Sequence, residues 1–196
     1  MVEDIGKADR SEGQEQEFRV WKRDMAEWYT QAKLRGVKWG RYRAAIQTAQ
    51  TFADYPALYF VYFLDSRGRT YPMTYGLNPQ GSDIQKALLK FATGKPLKDQ
   101  AAEEWFLING ANRWGFDKAP LADRAQWSRD RHEQIMAMAA DPVNNAEWRD
   151  ADKPLQFLAW AFEYAEWKTN PDSFESAIPV GLDGSCNGLQ HLSAML

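Results

Sequence analysis

From about residue 99 to residue 168, apolar and aromatic side chains return every three or four positions, in three stretches separated by short polar breaks. That period belongs to helices, so the middle of the chain is expected to fold as helices laid against one another rather than as a sheet. The stretches cover about 99–113, with Trp105, Phe106 and Ile108; about 121–140, with Trp127, Ile135 and Met138; and about 153–168, with Leu155, Leu158, Phe162 and Tyr164. At 196 residues and 44% hydrophobic composition, the chain has enough apolar material to fill a core without a covalent staple. The lone Cys186 has no internal disulfide partner, and two His are too few for a four-ligand Cys/His zinc cage built from this chain. A reducing, intracellular setting fits that usage.

The flanks are less uniform. Residues 1–12 are polar and acidic and read as a poorly ordered terminus, with no apolar run resembling a secretory signal. Between Glu15 and about Ala53 the helical spacing of Phe18, Trp21, Met25, Trp28, Tyr29, Ile46 and Phe52 predicts two helices, broken near Gly36 and Gly40. Lys33, Arg35, Lys38, Arg41 and Arg43 form a positive patch here without one acidic neighbour, although the whole chain has a net charge of −3. Tyr59 to Leu64, the turn residues Asp65 to Arg69, and Thr70-Tyr71 predict a β-hairpin. Asn78 to Asp83 reads as a further turn, with Ser82 or Asp83 capping a helix that carries Ile84, Ala87, Leu88 and Phe91 and stops at Gly94. Ala177 to Leu182 predicts a short strand running into Asp183-Gly184-Ser185, and Leu189 to Leu196 begins a new helical pattern. No Gly or Pro punctuates that last pattern, so the sequence is expected to continue in a longer parent. Leu58 to Leu64, the longest strongly apolar run, is too short to cross a bilayer of about 30 Å.

Several motifs compete for a chemical role. Asp183 stands where an apolar strand meets a glycine, a placement that serves either a hard divalent cation or an ordinary Asx-turn. Gly184-Ser185-Cys186-Asn187-Gly188 has the wrong spacing for a nucleophile elbow, and Cys186 and His191, five apart, need not face each other. Gly94-Lys95-Pro96 does not complete a phosphate loop, and Gly181, Gly184 and Gly188 miss the dinucleotide spacing. Arg67 and Arg69, with Tyr71 just beyond, suit a clamp on phosphates and a stacked base or sugar; the plainer reading is a solvated hairpin tip paired weakly with Asp65. The nine Trp are expected mostly in the core, and the pairs Glu103-Glu104 and Glu163 with Glu166 on solvated helix faces.

Two stretches together resemble one family. Asp65-Ser66-Arg67-Gly68-Arg69-Thr70-Tyr71, followed by Asn78-Pro79-Gln80-Gly81, is similar to the block opening the palm of bacteriophage-type single-subunit DNA-directed RNA polymerases. Leu182-Asp183-Gly184-Ser185-Cys186-Asn187-Gly188-Leu189-Gln190-His191-Leu192-Ser193-Ala194-Met195-Leu196 resembles that family's first catalytic-aspartate motif. Gly94-Lys95-Pro96, Asn109-Gly110-Ala111-Asn112 and Phe162-Glu163-Tyr164-Ala165 are similar too, so the resemblance runs from about Phe52 to Leu196. It implies that Asp183 and the Gly184 carbonyl hold catalytic Mg²⁺. It further implies that Arg67, Arg69, Tyr71 and Lys86 lie near the template and hybrid, and that His191 faces the nucleic-acid cleft. Asn187 stands where the family commonly has Ser, which leaves the carboxylate untouched.

The chemistry implied is nucleotidyl transfer, in which two cations about 3.5–4 Å apart activate the RNA 3′-hydroxyl and hold the triphosphate. The family's second aspartate, in a later His-Asp-Ser block, and its nucleotide-gripping Lys/Tyr helix do not occur in these 196 residues. The expected fold class is therefore α+β, mostly helical: a partial polymerase palm of packed helices with a few short antiparallel strands. Residues 1–51 would form a helical lead-in with an acidic N-terminus, and residues 52–196 the partial catalytic region. The expected partners are template DNA, RNA transcript and NTPs, with no membrane, in a monomeric parent enzyme in the cytoplasm of a phage-infected or lysogenic host cell. Alone, the chain should be inactive and should show an unusually large apolar patch. A non-catalytic helical nucleic-acid-binding module and a purely structural helical domain are the alternatives; the first binds with strong salt dependence and no Mg²⁺ requirement.

Overall fold

A capping box starts the first helix: the Ser11 hydroxyl accepts from the Gln14 N–H, and the Gln14 side chain accepts from the Ser11 N–H. In the computed structural model, which describes residues 9–181, this helix is α1 (Glu12–Phe52), 41 residues and about 60 Å long. The expected break at Gly36 and Gly40 does not occur. Neither glycine meets a neighbour within 4 Å, and the first proline is Pro56, so nothing removes an N–H from the helical ladder. The disordered terminus expected over residues 1–12 is likewise corrected from Ser11 onward, while residues 1–8 lie outside the described residues.

Strands β1 (Tyr62–Leu64) and β2 (Thr70–Pro72) form the expected antiparallel hairpin, with Phe63 opposite Tyr71. Gly68, at φ 75°, makes the turn. The turn at Asn78 to Gly81 follows, tied back to β2 by the Gln80 amide donating to the Thr70 carbonyl at 3.0 Å. Helix α2 (Asp83–Ala87) ends well before Gly94, because the residues after it are drawn elsewhere. Lys90 reaches Glu163, and the Phe91 N–H donates to the Ala177 carbonyl.

The core is built by α3 (Gln100–Trp114), α4 (Leu121–Asp130), α5 (His132–Ala140) and α6 (Pro154–Thr169), with a 3₁₀ turn at Glu147–Asp150. Asp99 caps α3 by accepting from the Ala102 N–H, and Gly115, at φ 109°, closes it in the left-handed conformation. The single helix expected over 121–140 is divided at Arg131, whose guanidinium lies 4.4 Å from the Trp127 ring centroid. The division allows Trp127 and Ile135 to enter the same core while His132 meets the Tyr164 hydroxyl at 3.0 Å. On α6 the buried face is Phe157, Trp160, Ala161, Tyr164 and Trp167, whereas Phe162, expected inside, is exposed. The rings of Trp160, Trp167 and Phe174 pack within about 6 Å of the Phe106 ring.

A second two-stranded sheet pairs β3 (Lys95–Pro96) with β4 (Glu175–Ser176), antiparallel. The strand expected at 177–182 is absent from residues 177–181. Pro179 has no N–H to give a ladder, and the carbonyls of Ala177 and Pro179 are taken by the Phe91 N–H and the Arg113 side chain. The fold class is α+β and mostly helical, as expected. Large exposed apolar residues crowd the stretch from Val20 to Tyr75.

Candidate nucleic-acid interface

Asn109 and Arg113 sit one turn apart on α3, in helical phase with the buried Phe106, and so point into the protein although they are polar. The Arg113 guanidinium connects three elements. Its Nε donates to Asn109 Oδ1 at 3.0 Å, Nη1 to the Gln156 carbonyl at 3.0 Å, and Nη2 to the Pro179 carbonyl at 2.5 Å. Burial pulls its pKa down to about 10, while the negative charges of Asp83 and Glu163 resist that fall. It remains a cation at neutral pH.

Asp83 does more than begin α2. Its carboxylate accepts from the backbone N–H groups of Leu155 and Gln156 at 2.8 and 3.2 Å, and from the Gln156 amide at 3.0 Å. It thus caps the N-terminus of α6, where Pro154 leaves no N–H to satisfy. Ser82 makes the capping box of α2 itself.

Glu163 corrects the expectation of a solvated face. Only 2% exposed, it lies in phase with Trp160 and Trp167, accepts from the Ser176 hydroxyl at 2.7 Å and pairs with Lys90 at 2.9 Å. Arg113 and Glu163 therefore grip residues 176–179 from α3 and α6.

Beside that grip opens a cavity of about 380 Å³, bordered by Lys86, Trp105, Asn109, Arg113, Lys153 and Gly181. Three of the thirteen described lining residues are cations, apolar residues such as Leu89, Ile108 and Val180 line it as well, and Trp105, expected in the core, is 59% exposed. Cations, side-chain amides and an aromatic face suit a ligand carrying phosphates and flat rings.

The expected site residues are only partly brought together. Lys86 is exposed and borders the cavity. Arg67 and Arg69 are exposed at the hairpin tip and do not border it. Arg67 donates from Nε and Nη2 to Asp65 Oδ2 at 3.0 and 2.8 Å, the pairing of the plainer reading. Asp65 also accepts from the backbone N–H groups of Arg67 and Arg69. The hydrogen bond from the Arg69 N–H, then the Arg67 side chain, hold its carboxyl below the usual range. Tyr71 is half-buried, its ring 5.7 Å from that of Phe63 across the hairpin. Lys33, Arg35, Lys38, Arg41 and Arg43 are exposed along α1. Asp183, Gly184 and His191, with Cys186 and Asn187, lie outside the described residues.

Asn109, Arg113, Lys153 and Gln156 also line the cavity, and the sequence reading does not single them out. For Arg113 the signal was present, a cation at a core position of a helix otherwise apolar in that phase.

A cavity bordered by lysines and an exposed tryptophan lies beside the helical core, and comparison with known proteins shows the family. The family model for DNA-dependent RNA polymerase matches residues 95–196. The chain is 40% identical over 177 residues to T7 RNA polymerase of Escherichia phage T7, covering 90% of this chain and 20% of that protein. It is 38% identical over 190 residues to the DNA-directed RNA polymerase of Enterobacteria phage T3, covering 97% and 21%. A mitochondrial DNA-directed RNA polymerase of Schizosaccharomyces pombe is 36% identical over 183 residues, covering 88% and 16%. The chain belongs to the phage-type, single-subunit branch of the DNA-dependent RNA polymerase family. It spans about a fifth of the length of the phage relatives it matches.

Proposed function

We propose that this chain is part of the palm of a DNA-directed RNA polymerase and contributes one metal-holding aspartate and part of the wall along which template and transcript lie. The observation that carries the reading is the family match across 95–196, which contains the Asp183 motif, joined to a cationic cavity that reaches Gly181, two residues before that aspartate.

A carboxylate at Asp183 and a carbonyl at Gly184 are hard oxygen donors, the kind Mg²⁺ prefers. Among the described residues no cluster of three His, Cys, Asp or Glu offers a rival metal site. Magnesium bound there supplies positive charge to the entering and leaving oxygens of nucleotidyl transfer. The chain's own residues do the rest of its share. Arg113 and Glu163 fix the segment that leads to Asp183, and Lys86 and Lys153 draw phosphates into the cavity. Arg67, Arg69 and Tyr71 approach the template from the hairpin, Arg67 exchanging Asp65 for a phosphate oxygen, and His191 is the further residue that the family resemblance assigns to nucleic-acid contact.

The second aspartate and the nucleotide-gripping Lys/Tyr helix are missing from these 196 residues, so the chain by itself does not synthesise RNA. The parent enzyme acts as a monomer in the cytoplasm of the phage-infected or lysogenic host. No helix among the described residues is long and apolar enough to cross a membrane.

The test is template-dependent RNA synthesis by the full-length polymerase carrying Asp183→Asn, with a fall of about a thousandfold expected for a lost metal ligand. Retained synthesis removes Asp183 from the mechanism. Nucleic-acid binding that persists unchanged without Mg²⁺, together with retained synthesis, would turn the reading toward a non-catalytic binding module.

A further inference from the structure

Residues 175–179 are secured by four different anchors. β4 pairs with β3, the Ser176 hydroxyl donates to Glu163, the Ala177 carbonyl accepts from Phe91, and the Pro179 carbonyl accepts from Arg113. The last anchor is the one nearest Asp183, four positions further on.

Burying a cation costs several kcal/mol, and a well-packed apolar side chain would fill the same space more cheaply. Arg113 stands in that space and is only 6% exposed. What a guanidinium alone provides is a planar fork whose nitrogens reach three acceptors on three elements at once. Those acceptors are Asn109 on its own helix, the first turn of α6, and the chain running toward Asp183. The same first turn of α6 is capped by Asp83, so α2, α3, α6 and the 177–181 segment meet at one point. We propose that Arg113 is a positioning residue for the polymerase reaction: by holding the Pro179 carbonyl it anchors the chain four positions before Asp183. This rests on the reading of Asp183 as a magnesium ligand.

The test has two readouts. In the full-length polymerase, hydrogen exchange of the Phe91 amide, which donates to the Ala177 carbonyl, is expected to quicken about tenfold in Arg113→Met as the segment loosens, while α3 and α6 stay protected. Arg113→Lys, which keeps the charge but not the fork, should fall between. In the full-length polymerase, Arg113→Met should raise the magnesium concentration for half-maximal RNA synthesis by about tenfold, as loss of outer-shell support does, with partial recovery in Arg113→Lys. A merely structural residue would lower the amount of active enzyme without moving that concentration. If Arg113→Met loses protection throughout, Asn109→Leu decides, since it frees Nε while leaving the cation; the same local quickening and metal shift, smaller, are expected.

Unchanged exchange at Phe91, or an unmoved magnesium requirement, overturns the proposal. An inactive Asp183→Asn beside an unmoved requirement in Arg113→Met overturns this inference alone. An active Asp183→Asn instead overturns the reading of the metal ligand.

Discussion

Trp160 on α6 is fully enclosed, while Trp39 on α1 is 64% exposed. The same contrast holds for the regions around them. Between Leu97 and Ile178 the rings of Phe106, Trp114, Trp127, Phe157, Trp160, Tyr164 and Trp167 form one connected cluster. On α1, Trp21, Trp28, Tyr29 and Trp39 face outward, and Ala45 is its only buried residue. Helical periodicity is equally plain in both, so periodicity reports that an apolar face exists and not what covers it. The core region carries the scaffold, and α1 with the hairpin carries the exposed cations and rings.

The contrast is sharpest under truncation. In urea unfolding of the 196-residue chain, Trp160→Ala should cost about 3–5 kcal/mol, whereas Trp39→Ala should stay within about 0.5 kcal/mol. Equal losses would break the division between the regions. Next comes Gly110→Ala on α3, where a new Cβ would strike the Trp160 ring; about 1–3 kcal/mol should be lost. The corresponding Gly36→Ala on α1 meets open space and should stabilise its helix. Asp83→Ala, by uncapping α6, should cost about 1–2 kcal/mol, and Ser11→Ala should fray only the start of α1 as seen by hydrogen exchange.

The smallest effects are those of pH, and they have opposite signs in the two regions. The lowered pKa of Asp65 means that its contribution to the hairpin is present above the ordinary carboxylate range and lost as pH falls through the lowered value. Amide NMR shifts at Arg67 and Arg69 should report that loss, and Asp65→Asn should abolish it. Burial raises the Tyr164 pKa, so its contribution is present below the ordinary tyrosine range and lost as pH rises through the raised value. Tyrosinate absorbance should show one late-titrating phenol, absent in Tyr164→Phe.

Much of the scaffold was legible because its determinants are local. Asp99 and Gly115 mark the ends of α3, Gly68 marks the hairpin turn, and Ser82 marks α2. The unread parts depend on partners distant in sequence. Asp83 caps a helix that starts about 70 residues later, and Lys90 and Phe91 leave the α2 pattern to meet Glu163 and Ala177. β3 and β4 are two residues each, too short to show alternation. Glu163 and Arg113 are in phase with buried rings, and each is kept inside by a partner that sequence alone does not reveal; only for Glu163 did the charge point to a solvated face. Asp183 itself was singled out by family resemblance, since Asp-Gly after an apolar run is also an ordinary turn.

The proposed role of Asp183 is to bind a catalytic metal, four positions beyond a strap that Arg113 of α3 and Glu163 of α6 secure. Its most direct measurement replaces Mg²⁺ by Fe²⁺ in the full-length polymerase and maps where peroxide-generated hydroxyl radicals cut the backbone. Cuts clustered around Asp183, competed away by excess Mg²⁺ and lost in Asp183→Asn, are the predicted result. A cleavage map with no cut near Asp183, or one that Asp183→Asn leaves unchanged, would contradict it.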